Sequence, residues 1–188
     1  MIECITFRRL GAGTGACGLY AAALGARRVL LTDGSKALLE LQEKNLNANE
    51  RLLVDGSERV AVGQFLWDKQ PPPPGPWDLV IGSDLTYAYD PAAHVDLAAT
   101  ISALLSNEAT APRVVLAHQH RNRSPGLVVE RWDEGDEMLR AFTAALEERR
   151  LRLTHHALLK VGEPDAEECE VSILAVEPSE RDEQVGAR

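Results

Sequence analysis

No stretch of this sequence approaches the ~18 uninterrupted apolar residues that a membrane span requires. Its start, Met1-Ile2-Glu3-Cys4-Ile5-Thr6-Phe7-Arg8-Arg9, lacks the basic region, long apolar stretch and small-residue cleavage site of a secretory signal. Cysteine is scarce. Cys4, Cys17 and Cys169 are too widely spaced for a disulfide framework or a zinc pattern, which suits a reducing interior: the cytoplasm, and the nucleus as well. Positive charge is also in deficit, with a formal net charge of −9. A broad grip on nucleic-acid phosphates demands a basic face. Arg121 with Arg123, and Arg149, Arg150 and Arg152 among glutamates, do not supply one. The acidic balance favours a basic protein segment as partner over nucleic acid or membrane. What remains is 188 residues, 45% of them apolar, enough for one domain with a substantial core.

Strand and helix patterns alternate along the chain, the signature of a parallel α/β sheet. Cys4 to Leu10 reads as a first strand, followed by a glycine-rich turn from Gly11 to Gly18 and a small-residue helix that stops at Gly25. Val29 to Thr32 is a short, continuously apolar second strand, as expected where both faces are covered. Ser35 is placed to cap a helix carrying Leu38, Leu41 and Leu46. Val60 to Leu66 reads as the third strand. Pro71 to Pro74, with Gly75 and Pro76, is a stiff surface spacer. Leu79 to Gly82 is the fourth strand, and Asp90-Pro91 opens a helix with Leu97, Ile101, Leu104 and Leu105 on one face. Val114 to Ala117 is the fifth strand, and Glu134 to Arg149 an amphipathic helix with Leu139, Phe142 and Leu146 inward. The rhythm then changes. Leu151 to Leu159 and Glu170 to Val176 are strands separated by too few residues for a parallel crossover, so they pair antiparallel.

Chemistry gathers at the ends of these strands. Leu10-Gly11-Ala12-Gly13-Thr14-Gly15-Ala16-Cys17-Gly18 lets backbone N–H groups approach a ligand closely. Asp33, 22 residues after Gly11, ends the second strand where a carboxylate can accept two ribose hydroxyls. These features say adenosine-type ligand and suit NAD as well as S-adenosylmethionine (SAM). Phe65-Leu66-Trp67-Asp68 puts a flat aromatic near an adenine, and Gly82-Ser83-Asp84-Leu85-Thr86-Tyr87 brings Asp84 and Tyr87 to the same crevice. His118, His120 and Arg121 follow the fifth strand and border a target pocket. His-x-His is a metal pair for which no third ligand has suitable spacing, so no metal is expected. Cys17 reads as packing. An NAD(P)-dependent oxidoreductase is the rival enzyme, though no Tyr-x-x-x-Lys element is present; a non-catalytic protein of the same fold, serving as a binding module, is the other rival.

The succession Leu-Gly-Ala-Gly-Thr-Gly, Leu-Thr-Asp, Leu-Trp-Asp and Asp-Leu-Val-Ile-Gly-Ser-Asp-Leu-Thr-Tyr resembles the seven-β-strand protein-lysine methyltransferases of the methyltransferase-like 21 group, from about Leu10 to Val176. The resemblance implies a Rossmann-like, doubly wound seven-stranded sheet, mostly parallel with an antiparallel C-terminal strand. It implies SAM as cofactor, a monomer, and lysine on a protein substrate such as a chaperone, an ATPase or a translation factor. Gly11, Ala12, Gly13 and Gly15 would cradle the methionine end, Asp33 the ribose and Trp67 the adenine. Ser83 and Asp84 would line the pocket, and Asp84 with Tyr87 would serve catalysis by orienting the amine. It also implies an acidic residue where this chain has Arg9, and a covering segment before the first strand that this sequence does not show. On this reading the methyltransferase domain occupies 1–178, and 179–188 is a charged, frayed tail.

Overall fold

A computed structural model of the protein describes residues 6–53, 56–86, 90–106, 111–121, 136–161 and 169–179. Its elements run β1 (Thr6–Leu10), α1 (Ala16–Ala23), β2 (Arg28–Asp33), α2 (Lys36–Asn49), β3 (Val60–Gln64), β4 (Leu79–Ser83), α3 (Pro91–Leu105), β5 (Arg113–His120), α4 (Glu137–Glu147), β6 (Leu151–Val161) and β7 (Cys169–Pro178). They form one seven-stranded sheet in the order β3-β2-β1-β4-β5-β7-β6. Strands β3 to β5 are parallel, and β7 runs antiparallel to both of its neighbours. Among the described residues no helix is long and apolar enough to cross a membrane. The expected tail lies outside them from residue 180 onward.

Alternation along the strands divides the core in two. Leu10, Leu30, Val80, Leu116 and Leu174 pack with Leu97 and Ile101 of α3 and with Leu139, Phe142 and Leu146 of α4. Phe7, Val29, Leu31 and Val60 pack on the other side with Leu19 and Ala22 of α1. Helices therefore cover both faces, as the apolar second strand requires. Asp90 does cap α3, accepting from the Ala92 N–H at 2.9 Å with Pro91 in the first turn. Ser35 holds the cap position of α2, but its side chain makes no capping bond. Asp33 takes the Ser35 N–H instead, at 3.0 Å. The inward face of α2 is also turned from the expected one. Leu41 is exposed and Gln42 is fully buried, because the Gln42 amide donates to the Gly13 carbonyl at 2.9 Å and so supports the glycine turn.

Strand β1 is buried at every position, yet two of its five residues are arginine. Arg8 is completely buried. Its guanidinium stacks 4.6 Å from the Phe65 ring centre, and none of its three nitrogens has a hydrogen-bond partner among the described residues. Burial pushes its pKa down to about 10. Stacking on an aromatic face returns part of the hydration lost, but a desolvated cation without an acceptor remains a net cost. Arg8→Met should fill the same space without the charge and stabilise the fold by about 2 kcal/mol, raising Tm by about 4–8 °C. Thermal unfolding followed by circular dichroism checks this, and an unchanged or lower Tm would show that the cation is compensated.

Candidate functional site

The strand order reverses between β1 and β4. Connections leaving these two strands depart in opposite directions, which opens a crevice at their carboxyl ends. A cleft of about 500 Å³ lies there, bounded by Gly11, Gly13, Asp33, Trp67, Ser83 and Asp84 among others. That volume is within the range of small-molecule and cofactor sites. Six of the residues expected from the sequence thus meet in one place. Ala12 and Gly15 do not line it. The Ala12 N–H donates to the Thr32 carbonyl at 2.8 Å and its own carbonyl accepts from Gly15 at 2.9 Å, so these two shape the turn from beneath. Tyr87 lies outside the described residues.

The turn is built for a ligand's backbone approach. Gly11 and Gly13 have φ of +53° and +56°, which side-chain-bearing residues rarely adopt. A Cβ on Gly11 would come within 2.5 Å of Leu85 Cδ2, whereas one on Gly13 would meet nothing within 4 Å. Gly13 therefore faces open space. Asp33 holds the turn from β2: its Oδ2 accepts the Gly13 N–H at 3.0 Å, and Oδ1 accepts that of Ser35. Each carboxylate oxygen keeps a lone pair for a further donor. Trp67 borders Gly11, its ring 3.8 Å from where a Cβ would stand. A carboxylate with spare lone pairs and a flat ring beside an open backbone turn fit an adenosine.

Asp84 stands at the mouth. Its N–H donates to the Ala117 carbonyl at 2.7 Å, and its φ of +58° is a left-handed conformation. Such conformations cluster where a side chain must be aimed at a site. Oδ2 pairs with Arg121, whereas Oδ1 is buried without a hydrogen-bond partner among the described residues. A desolvated acceptor without a partner is costly and marks Asp84 as a candidate functional group.

Sequence reasoning placed His118 and His120 beyond the fifth strand, bordering the pocket. They belong to β5 itself, which runs three residues further because antiparallel pairing continues through His118 with Ser172 and His120 with Glu170. Both imidazoles are buried, and only Arg121 reaches the mouth. Their third partner, missed in the sequence, is Asp136, which also caps α4 by accepting the Leu139 N–H at 3.0 Å. The donor atoms of His118, His120 and Asp136 lie within 4.8 Å of one another. Asp-x-x-Leu before an amphipathic helix was the available signal, but it marks a helix start and not a meeting with β5. Burial pushes the Asp136 carboxyl upward. Hydrogen bonds from His118, His120 and the Leu139 N–H overcome it and hold the group far below the usual carboxylate range.

Arg9 lies on the opposite face of β1 from Arg8, under the glycine turn. One guanidinium nitrogen donates to the Leu10 and Ile81 carbonyls at 3.2 and 3.1 Å, and the group neighbours Cys17 and Asp33. Burial lowers its pKa; the neighbouring Cys17 and Asp33 raise it. Cys17 is exposed, not packed as the sequence suggested, and its thiol lies against the Arg9 guanidinium.

This architecture is the Rossmann-like fold, and methyltransferases share it. A SAM-dependent methyltransferase of Methanosarcina mazei superposes with a TM-score of 0.65 at 12% identity, covering 96% of this chain and 95% of that one. The magnesium protoporphyrin IX methyltransferase of Synechocystis, solved with bound SAM, gives 0.57 at 15% identity, covering 93% and 71%. Within that class the sequence is more specific. Residues 3–130 match the family described as lysine methyltransferase, and the chain belongs to that family. Membership makes SAM the cofactor. The protein N-lysine methyltransferase METTL21A of mouse is 38% identical over 100 residues, 52% of this chain and 43% of that protein. The zebrafish METTL21A is 38% identical over 80 residues, 42% of this chain and 35% of that one. The matches span less than half the length of these relatives.

Proposed function

We propose that this protein transfers a methyl group from SAM to a lysine side chain of a partner protein. The carrying observation is Asp84, whose buried Oδ1, at the mouth of the cleft beside the glycine turn, has no hydrogen-bond partner among the described residues. In this reading Gly11 and Gly13 receive the methionine end and Asp33 the ribose hydroxyls. Trp67 flanks the adenine, and Ser83 lines the wall between. When bound, SAM would supply a methyl on a positively charged sulfur, a leaving group able to keep the electron pair of the C–S bond. The chain's own work is positional. Holding nucleophile and methyl in line contributes up to ~7–11 kcal/mol. A lysine entering a narrow, partly dry mouth has its pKa lowered and gives its proton to solvent. Asp84 Oδ1 then accepts one remaining amine N–H and aims the lone pair inward. Tyr87 is proposed as a wall of that mouth.

Arg9 favours a second reading, a SAM-fold protein that binds without transferring, because it puts a cation beside the turn that would receive a ligand's ammonium. Calorimetric titration with SAM and with NADH, followed by transfer of radiolabelled methyl into a cell extract, separates the readings. Methyltransfer requires SAM binding and a labelled protein band with methyl-lysine by mass spectrometry. Binding without label supports the second reading. NADH binding alone would sink both.

A further inference from the structure

Beneath the mouth of the cleft a chain of polar side chains crosses the interior. Thr86 Oγ1 lies 2.5 Å from His118 Nδ1, and His118 Nε2 lies 2.6 Å from Asp136 Oδ2. The same oxygen is 3.0 Å from His120 Nδ1, and His120 Nε2 is 2.7 Å from Ser172 Oγ. All five side chains are buried. They come from four places in the fold: the turn after β4, strand β5, strand β7 and the start of α4.

The protons on this chain can be assigned by count. Asp136, ionised, only accepts, so His118 donates from Nε2 and His120 from Nδ1. With each imidazole carrying a single proton, one nitrogen on each ring is left, and that nitrogen can only accept. Thr86 therefore donates to His118, and Ser172 donates to His120. No donor or acceptor on either ring is left over, and the one negative charge is met by two imidazole N–H groups and the Leu139 N–H. A fully satisfied buried network of this kind is directional as well as cohesive.

We propose that His118 is a positioning residue: oriented by Asp136, it fixes through Thr86 the turn that carries Asp84. A single residue, Leu85, separates Thr86 from Asp84. Between them Leu85 packs into the core against Gly11 and Gly82. Apolar packing holds the middle of this turn and the Asp84 N–H bond to the Ala117 carbonyl holds its near end, which leaves the far end, at Thr86, to be fixed. The Thr86–His118 bond sets it, and with it the aim of a carboxylate held at φ +58°. The proposal rests on the role given to Asp84 above, and its test reads the turn separately from the reaction.

In the full-length protein, long-range ¹⁵N–¹H correlation spectra should show His118 protonated on Nε2 and His120 on Nδ1. The opposite tautomer on His118, or a metal ion co-purifying at one per chain, would overturn the network without any variant. Thr86→Val keeps the shape and removes the hydroxyl. Amide exchange at Asp84 should rise about tenfold, and kcat for methyl transfer should fall about tenfold or more, since small misplacements are costly. SAM affinity should hold within about twofold, because the ribose and methionine contacts are elsewhere. Thr86→Ser should restore both exchange and rate. Wild-type exchange at Asp84 in folded Thr86→Val would overturn the proposal, as would a rate lost only in step with SAM affinity. Faster exchange in a protein whose wild type transfers no methyl would uphold the positioning and reject the methyltransfer reading alone.

Discussion

Asp84→Asn is expected to slow methyl transfer by about 100-fold, a typical size for one catalytic hydrogen-bonding group, while SAM affinity changes little. Asparagine is the informative replacement because it tolerates the left-handed backbone nearly as well as aspartate. The φ of +58° should therefore survive, and so should the Asp84 N–H bond to the Ala117 carbonyl. What changes is the acceptor. The buried Oδ1 becomes a neutral amide group, or a donor that repels an amine N–H, and Arg121 loses its carboxylate. That ion pair is half in solvent, so its loss contributes little to stability. Single-turnover rates at saturating SAM, set against calorimetric affinity, separate the effects. A rate and an affinity that fall together would make Asp84 a cofactor residue, and an unchanged rate would remove it from the mechanism.

The second large effect belongs to Asp33. Its two oxygens already hold the N–H groups of Gly13 and Ser35, so it shapes the turn as well as facing the cleft. Asp33→Ala removes charged hydrogen bonds to the ribose worth roughly 1.5–3 kcal/mol, and SAM affinity should fall at least about tenfold. Gly13 keeps support from Gln42, whose amide holds its carbonyl, so the turn should persist in outline. Calorimetry on protein shown to be folded decides the matter. An unchanged dissociation constant would mean that Asp33 serves the turn alone.

The strand-to-helix alternation and the antiparallel closing pair were legible in the sequence because each depends on local pattern and on loop length. The residues gathering at the crevice were legible for a related reason: in an open parallel sheet the carboxyl ends of the strands are readable positions. What escaped depended on contacts between distant residues. Gln42 looks like an outward polar position of a helix until the Gly13 carbonyl, 29 residues away, claims it. Asp136 falls within the helix expected from Glu134, whereas it caps α4, and nothing local says that two imidazoles from β5 will share its oxygen. The end of β5 was misjudged because polar His118 and His120 resemble a loop, while the strand that extends them lies some fifty residues downstream. Arg8 escaped for the opposite reason. A charged residue in a fully buried central strand contradicts the pattern that identifies such strands.

The place of β7 bears on how this protein comes to exist at all. Although last in sequence, it sits between β5 and β6, so β6 touches the sheet only through it. During synthesis β1 to β5 can pair as they emerge, but β6 arrives with no neighbour to join. It must wait, with the edge of β5 open, until residues 169–178 have left the ribosome. Domains take shape as they are made, and unpaired edges in that interval invite association with other chains. The sharing of β7 between two strands makes closure of the sheet a late, single event. Its completion also seats Ser172 against His120, so the site's support is assembled only once β7 has been made.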